Sequence, residues 1–131
     1  MENTESVPAV LETAAAGKIA EVYSDIRNTL GTSVVNLIWR NLATMQGALP
    51  WAWSAVRPLY LGAAAGHAEA VRRTLRLPKA ATLSTKLLAA AGIDGNARKE
   101  IHAILDSYHH TNALALVVLS ALLERYDPSA G

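Results

Sequence analysis

Residues 101–126 read IHAILDSYHHTNALALVVLSALLERY, and this stretch decides the fold. Its apolar side chains recur every three or four positions, which is the spacing of one face of an α-helix. The apolar stripe consists of Ile101, Ile104, Leu105, Tyr108, Leu116, Leu119, Leu122 and Leu123. Because Asp94 can cap such a helix, we predict one long helix from about Gly95 to Tyr126.

Helical spacing also dominates the earlier chain, where it predicts a first helix that ends at the C-cap Gly31. A second helix follows, capped by Thr32 or Ser33 and ended by Gly47. Pro50 suits the first turn of a third helix, and Pro58 then kinks or restarts it. The fourth and fifth helices are expected near residues 62–75 and 82–91.

No segment shows the alternation of a strand, so the predicted fold class is all-α. The 131 residues suit a single compact helical domain of about six helices. Residues 1–13 are interpreted as an extended lead-in, and residues 127–131 as a tail.

Composition limits the classes of function. The net charge of +1 argues against a nucleic-acid binder, and the absence of cysteine excludes disulfides, thiolate metal sites and cysteine nucleophiles. The longest nearly unbroken apolar run, residues 113–123, is too short to span a membrane. We therefore expect a cytoplasmic protein without a cofactor. With 51% hydrophobic residues, so small a domain is expected to place apolar surface in a pocket or at a homodimer interface.

Asn112 is the unusual residue of the long helix, because it falls near the middle of the apolar stripe. A buried amide needs hydrogen-bonding partners. These are either structural groups, such as backbone at a helix break, or a partner subunit or ligand. Trp51 and Trp53 lie on opposite sides of a helix, so one is expected in the core and the other at a partner or cavity.

Two further groups of side chains suggest chemistry. His102, Asp106 and His109 share a flank of the long helix and suit a metal face or a His–Asp base, although a solvated flank is the commoner arrangement. Residues 72–79 carry four cations that suit a carboxylate or phosphate, or a solvated helix end. No metal site is predicted.

Four segments carry a family resemblance: EVYSDIRNTL (21–30), LAT (42–44), GALPWAW (47–53) and YHHTN (108–112). With them, residues 17–125 resemble one repeat of the group I 2-haloacid dehalogenases. The helical fold is also similar to the alkylhydroperoxidase-D-like group, whose usual CxxC-His chemistry is excluded here because the chain has no cysteine.

The resemblance to the dehalogenases implies an all-helical pseudo-dimer of two tandem repeats with the active site between them. In that family an Asp activates the water that displaces halide from a 2-haloacid, and an Asn positions the substrate or water. Asn112 matches that Asn, whereas Ile38 occupies the position of the Asp. Since isoleucine cannot act as a base, dehalogenation needs another group.

Two hypotheses follow. In the first, the protein is a hydrolase-like enzyme that binds a small organic acid in an apolar pocket of a homodimer. Its catalytic residues are Asn112, His109 and Tyr108, with Asp25 as a further possible base, and its substrate-binding residues are Asn36, Leu37, Ile38 and Trp39. In the second, the chain is a non-catalytic ligand-binding or structural helical homodimer that kept the scaffold and lost the acid.

Overall fold

The computed structural model describes residues 6–127 and Ser129, and it confirms the all-α fold class. Six α-helices form one domain, with no strand in the described part of the chain. They are α1 (Gly17–Leu30), α2 (Leu37–Leu42), α3 (Ala48–Tyr60), α4 (Ala64–Thr74), α5 (Thr85–Ala90) and α6 (Gly95–Tyr126). A short 3-10 turn, Glu12–Ala14, precedes α1. The expected lead-in and tail lie partly outside the described residues.

The core lies between α1, α2, α3, α4 and the C-terminal half of α6. Its largest fully buried side chains include Trp39, Tyr23, Ile26 and Leu49. Trp39 packs edge-on against Trp53, with 5.5 Å between ring centroids. Trp53 is buried and Trp51 is exposed, so the expected division holds, although their spacing did not predict which of the two would be inside.

The ends of two helices follow the predicted chemistry. Gly31 adopts the left-handed conformation that glycine tolerates best, and its N–H closes α1 on the carbonyl of Arg27. Asp94 caps α6 by accepting a hydrogen bond from the N–H of Ala97 at 2.8 Å. The predicted bounds of α6 are therefore confirmed.

The second helix differs from the prediction. It begins at Leu37 rather than after Thr32 or Ser33, and it ends at Leu42 rather than at Gly47. The hydroxyl of Thr32 donates a hydrogen bond to the carbonyl of Val34, two residues later, and it caps no helix. Gly47, in the left-handed conformation, instead precedes the first residue of α3.

Pro58 does not restart a helix. It lies inside α3, which ends two residues later at Tyr60. Proline lacks the N–H that would bond the carbonyl of Ser54, four residues earlier, so α3 lacks that hydrogen bond in its last turn.

Much of α6 lies outside the core. Its core-facing residues are Thr111, Leu114, Ala115 and Val118, all in the second half of the helix. In the first half Ile101, Ile104 and Leu105 are exposed despite their apolar side chains. Within the described residues, no helix is both long and apolar enough to cross a membrane.

Candidate functional site

Three polar side chains meet where the segment before α2 crosses the middle of α6. Asn36 is only 3% exposed, and its Nδ2 donates to Thr111 Oγ1 and to Asn112 Oδ1, both at 2.8 Å. Thr111 Oγ1 in turn donates to the carbonyl of Ser107 at 2.8 Å. This amide cluster fixes the orientation of the Asn112 side chain, because its oxygen is turned toward Asn36.

The structure places Asn112 differently from its expected burial, since its side chain is exposed at the edge of the apolar stripe. The buried residue of the pair is Thr111, one position earlier. Thr111 satisfies its hydroxyl by bonding the carbonyl four residues back, as threonine does inside helices. The amide Nδ2 of Asn112 therefore remains at the surface, where it can donate to a ligand or to another chain.

One acceptor of the amide cluster is left over. Asn36 Oδ1 is buried, and no donor among the described residues lies within hydrogen-bonding distance of it. An unsatisfied buried polar atom costs about 1–3 kcal/mol.

A groove of about 620 Å³ runs between α4 and α6 beside this cluster. We call it the α4/α6 groove. Its polar lining consists of Arg72, Asp106, Tyr108, His109 and Asn112. Its apolar lining consists of Val71, Leu75, Leu105, Ala113 and Leu116. A groove with an apolar wall and a few convergent polar groups is typical of sites for small organic molecules.

Arg72 holds the two walls of the α4/α6 groove together. Its Nε and Nη2 donate to the carbonyls of His109 and His110 at 3.1 and 2.7 Å. Its Nη1 donates to Glu69 at 3.1 Å. The guanidinium thus sits beside the turn of α6 that carries Asn112, with part of its positive charge offset by Glu69.

The four expected substrate-binding residues are not brought together. Only Asn36 contacts a predicted catalytic residue, through Asn112. Trp39 is fully buried in the core. Ile38 lines a different groove of about 380 Å³, which we call the apolar groove. The apolar groove is lined by Ile38, Leu42, Trp51, Ala52, Leu119, Leu122, Leu123 and Tyr126. Leu37, half-buried, lines neither groove.

Asp25 lies in a third groove, between α1 and α3, away from Asn112. Arg57 donates to both of its oxygens, at 2.7 and 3.2 Å, and the Trp53 indole N–H donates to Oδ2 at 2.7 Å. These hydrogen bonds, first from Arg57 and then from Trp53, lower the pKa of Asp25. A carboxylate engaged in this way is a structural anion and a poor base.

The remaining polar residues of α6 are dispersed. No group of three or more His, Asp and Glu side chains within residues 6–127 is arranged to hold a metal ion. The three residues His102, Asp106 and His109 therefore form no metal site in the described part of the chain. Asp106 and His109 line the α4/α6 groove, whereas His110 contacts the carbonyl of Leu30 at 3.2 Å.

Two features of the site were missed in the sequence. The contact of Asn36 with Asn112 joins residues 76 positions apart, and helical periodicity carries no information about such a pair. Arg72 was noted only as one of four clustered cations. It lies near the end of α4, just before residues 75–84, which have no regular secondary structure, and this position gave no sign that Arg72 reaches across to α6.

Comparison with known proteins gives a distant relative. The chain is 29% identical over 121 residues to a configuration-inverting 2-haloacid dehalogenase from Pseudomonas sp. (strain 113). The match covers 91% of this chain but only 39% of the relative, so the chain spans about two fifths of that protein's length. No protein-family model and no solved structure matches. The chain is therefore distantly similar, over most of its own length, to a 2-haloacid dehalogenase.

Proposed function

We propose that this protein is a hydrolase-like enzyme of the 2-haloacid dehalogenase type that binds a small organic acid in the α4/α6 groove. The observation that carries the proposal is the position of Asn112, which lines the groove while its Oδ1 is held by Asn36 at 2.8 Å. The distant similarity to a curated dehalogenase supports the same class of substrate.

Different residues of the groove bind the different parts of a 2-haloacid. Arg72 and the Asn112 amide attract the carboxylate, and the aliphatic wall of Leu75, Leu105 and Leu116 receives the alkyl group and the halogen. Water then attacks the α-carbon, the carbon–halogen bond breaks, and halide leaves with the bonding electrons. The proton of the water goes to a base.

The base is not at position 38. Ile38 lines the apolar groove, and no carboxylate lies on α2. His109 is the proposed base, because it is exposed in the same groove as Asn112 and one turn from it. Tyr108 lies beside it as a hydroxyl that orients substrate.

Halide release from D- and L-2-chloropropionate tests this function. Asn112→Ala should lower the rate by about 100-fold or more, the usual effect of losing a donor that acts in the transition state. The matched control is Asn96→Ala, which removes an exposed amide in the first turn of the same helix. Equal loss in both variants, or release that is indifferent to Asn112, would contradict the role of the groove.

The alternative is a homodimer that binds ligand without catalysis, and the isoleucine at position 38 favours it. In that case no halide is released, yet 2-chloropropionate still raises the melting temperature of the wild type and not of Asn112→Ala. If the wild type neither releases halide nor gains stability, the proposed substrate class is wrong.

A further inference from the structure

A second stripe of α6 is only partly covered by the rest of the fold, since Leu119 packs against the core and Tyr126 lies 5.5 Å from the ring of Trp51. We call it the α6 seam, and it consists of Ile101, Leu105, Tyr108, Asn112, Leu116, Leu119, Leu123 and Tyr126. These positions follow one another at intervals of three or four, so they lie within about 80° of arc along about 38 Å of helix. Five of them, all apolar or aromatic, are between 41 and 59% exposed.

The seam differs from the face that α6 turns to the core. The core-facing residues Thr111, Leu114, Ala115 and Val118 are buried, whereas the seam runs beside them and extends from Ile101 to Tyr126. A row of apolar residues at intervals of three and four is the pattern by which two helices pack side by side. The seam therefore has the pattern of a helix-pairing surface that lacks its second helix.

We propose that the missing helix is α6 of a second copy of this chain, packed antiparallel with the two-fold axis at Asn112. The seam is self-complementary in this arrangement. Residues equally distant from Asn112 are apolar or aromatic on both sides, which pairs Ile101 with Leu123 of the partner subunit, Leu105 with the partner's Leu119, and Tyr108 with the partner's Leu116. No charge lies in the seam, so the two-fold axis brings no like charges together.

The exposed area of the chain supports a second copy. A folded monomer of 13.9 kDa is expected to expose roughly 6,700 Å². This chain exposes 9077 Å², an excess of about 2,400 Å². A stable dimer needs about 800 Å² from each partner. The excess is ample for such an interface, and near-zero net charge leaves little repulsion between copies.

The pairing explains why a polar residue, Asn112, lies at the centre of an apolar seam. A single asparagine in a helix-pairing surface fixes register and orientation by pairing with its counterpart. Asn112 Oδ1 already accepts from Asn36, and its second lone pair remains available to the Nδ2 of the partner's Asn112. Each Nδ2 then has an acceptor across the axis.

The pairing rests on the proposed function for one point only, the use of the groove. Leu105, Tyr108, Asn112 and Leu116 belong to both the seam and the α4/α6 groove. A second α6 laid on the seam covers the open side of the groove, so each site is complete only in the dimer. The pairing itself needs no catalysis.

The mass of the protein in solution is the first test. By light scattering, the wild type should have twice the mass of the 13.9 kDa chain. Leu105→Glu and Leu116→Glu should each give the monomer with unchanged helical circular dichroism, because both side chains are exposed in the isolated fold. The matched control, Ala103→Glu, carries its charge on the opposite side of the same helix and should remain dimeric.

Disulfide trapping tests the direction of pairing, since the chain contains no cysteine of its own. Asn112→Cys should link to itself under mild oxidation, and Ile101→Cys should link to Leu123→Cys when the two variants are mixed. Ile101→Cys alone should not link, because antiparallel helices separate the two copies of residue 101 by about 33 Å.

A monomeric wild type would overturn the proposal and leave the seam to a different protein. A dimer that survives both glutamate substitutions, or one that links Ile101→Cys to itself, would overturn the antiparallel seam. Neither result depends on halide release, so this proposal and the proposed function can fail separately.

Discussion

Asp25 shows how one residue couples stability to pH. Its pKa is lowered by the hydrogen bonds from Arg57 and Trp53, so its charged form is favoured in the folded state. A carboxyl with a lowered pKa contributes stability above its ordinary value of 3.8 and loses that contribution as the pH falls through the lowered value.

Asp25→Asn should accordingly reduce the free energy of unfolding at pH 7 by about 1 kcal/mol, since the pair is partly exposed. The difference from wild type should shrink as the pH falls below 3.8, because the wild type then loses the same charge. Urea unfolding at neutral and acid pH measures both. Asp106→Asn, on an exposed side chain, is the control and should show neither effect.

Single residues also show where inference from sequence stops. Asn112 was singled out because an amide interrupts an apolar stripe, and the structure does give it a specific partner. The partner itself, Asn36, lies on a segment that periodicity describes as part of a helix. An angle on a helical wheel gives the direction of a side chain, but not what lies there.

Among the elements, α6 depends most on its cap. Asp94 accepts a hydrogen bond from Ala97, and the first half of α6 has little packing to hold it. Asp94→Ala should therefore cost about 1 kcal/mol, mostly as fraying of the first turns rather than as global unfolding. Amide exchange should quicken near Ala97 and Arg98 while the core keeps its protection. Asp94→Asn, which can still cap, should leave exchange nearly unchanged, and equal acceleration in the core would contradict a local effect.

The elements were predictable where their ends are encoded locally. Gly31 and Asp94 end or begin helices by their own backbone or side-chain chemistry, so the sequence could reveal both. The start of α2 is different. Thr32 is a residue type that often caps helices. Val35 and Asn36 are nevertheless buried, and Asn36 is extended, so tertiary burial overrides the local preference for a helix.

At the scale of the whole molecule, residues 75–84 form a long exposed connection. They join α4 to α5, have no regular secondary structure and are all exposed. Proteases cleave exposed segments that can fit into the active site of the protease. Trypsin should therefore cut first at Arg76 or Lys79. Mass spectrometry of the early fragments identifies the site. Arg76→Gln combined with Lys79→Gln should delay digestion, and first cleavage at the buried Arg40 would contradict this order.

The three tryptophans lie in two different environments, which fluorescence can distinguish. Trp39 and Trp53 are in contact inside the core, whereas Trp51 is 52% exposed and lies 5.5 Å from the ring of Tyr126. Trp51 also lines the apolar groove at the C-terminal end of α6. Its indole is therefore the one within easy reach of a soluble quencher, and the protein carries an intrinsic fluorescent reporter at the end of the helix, with no label added.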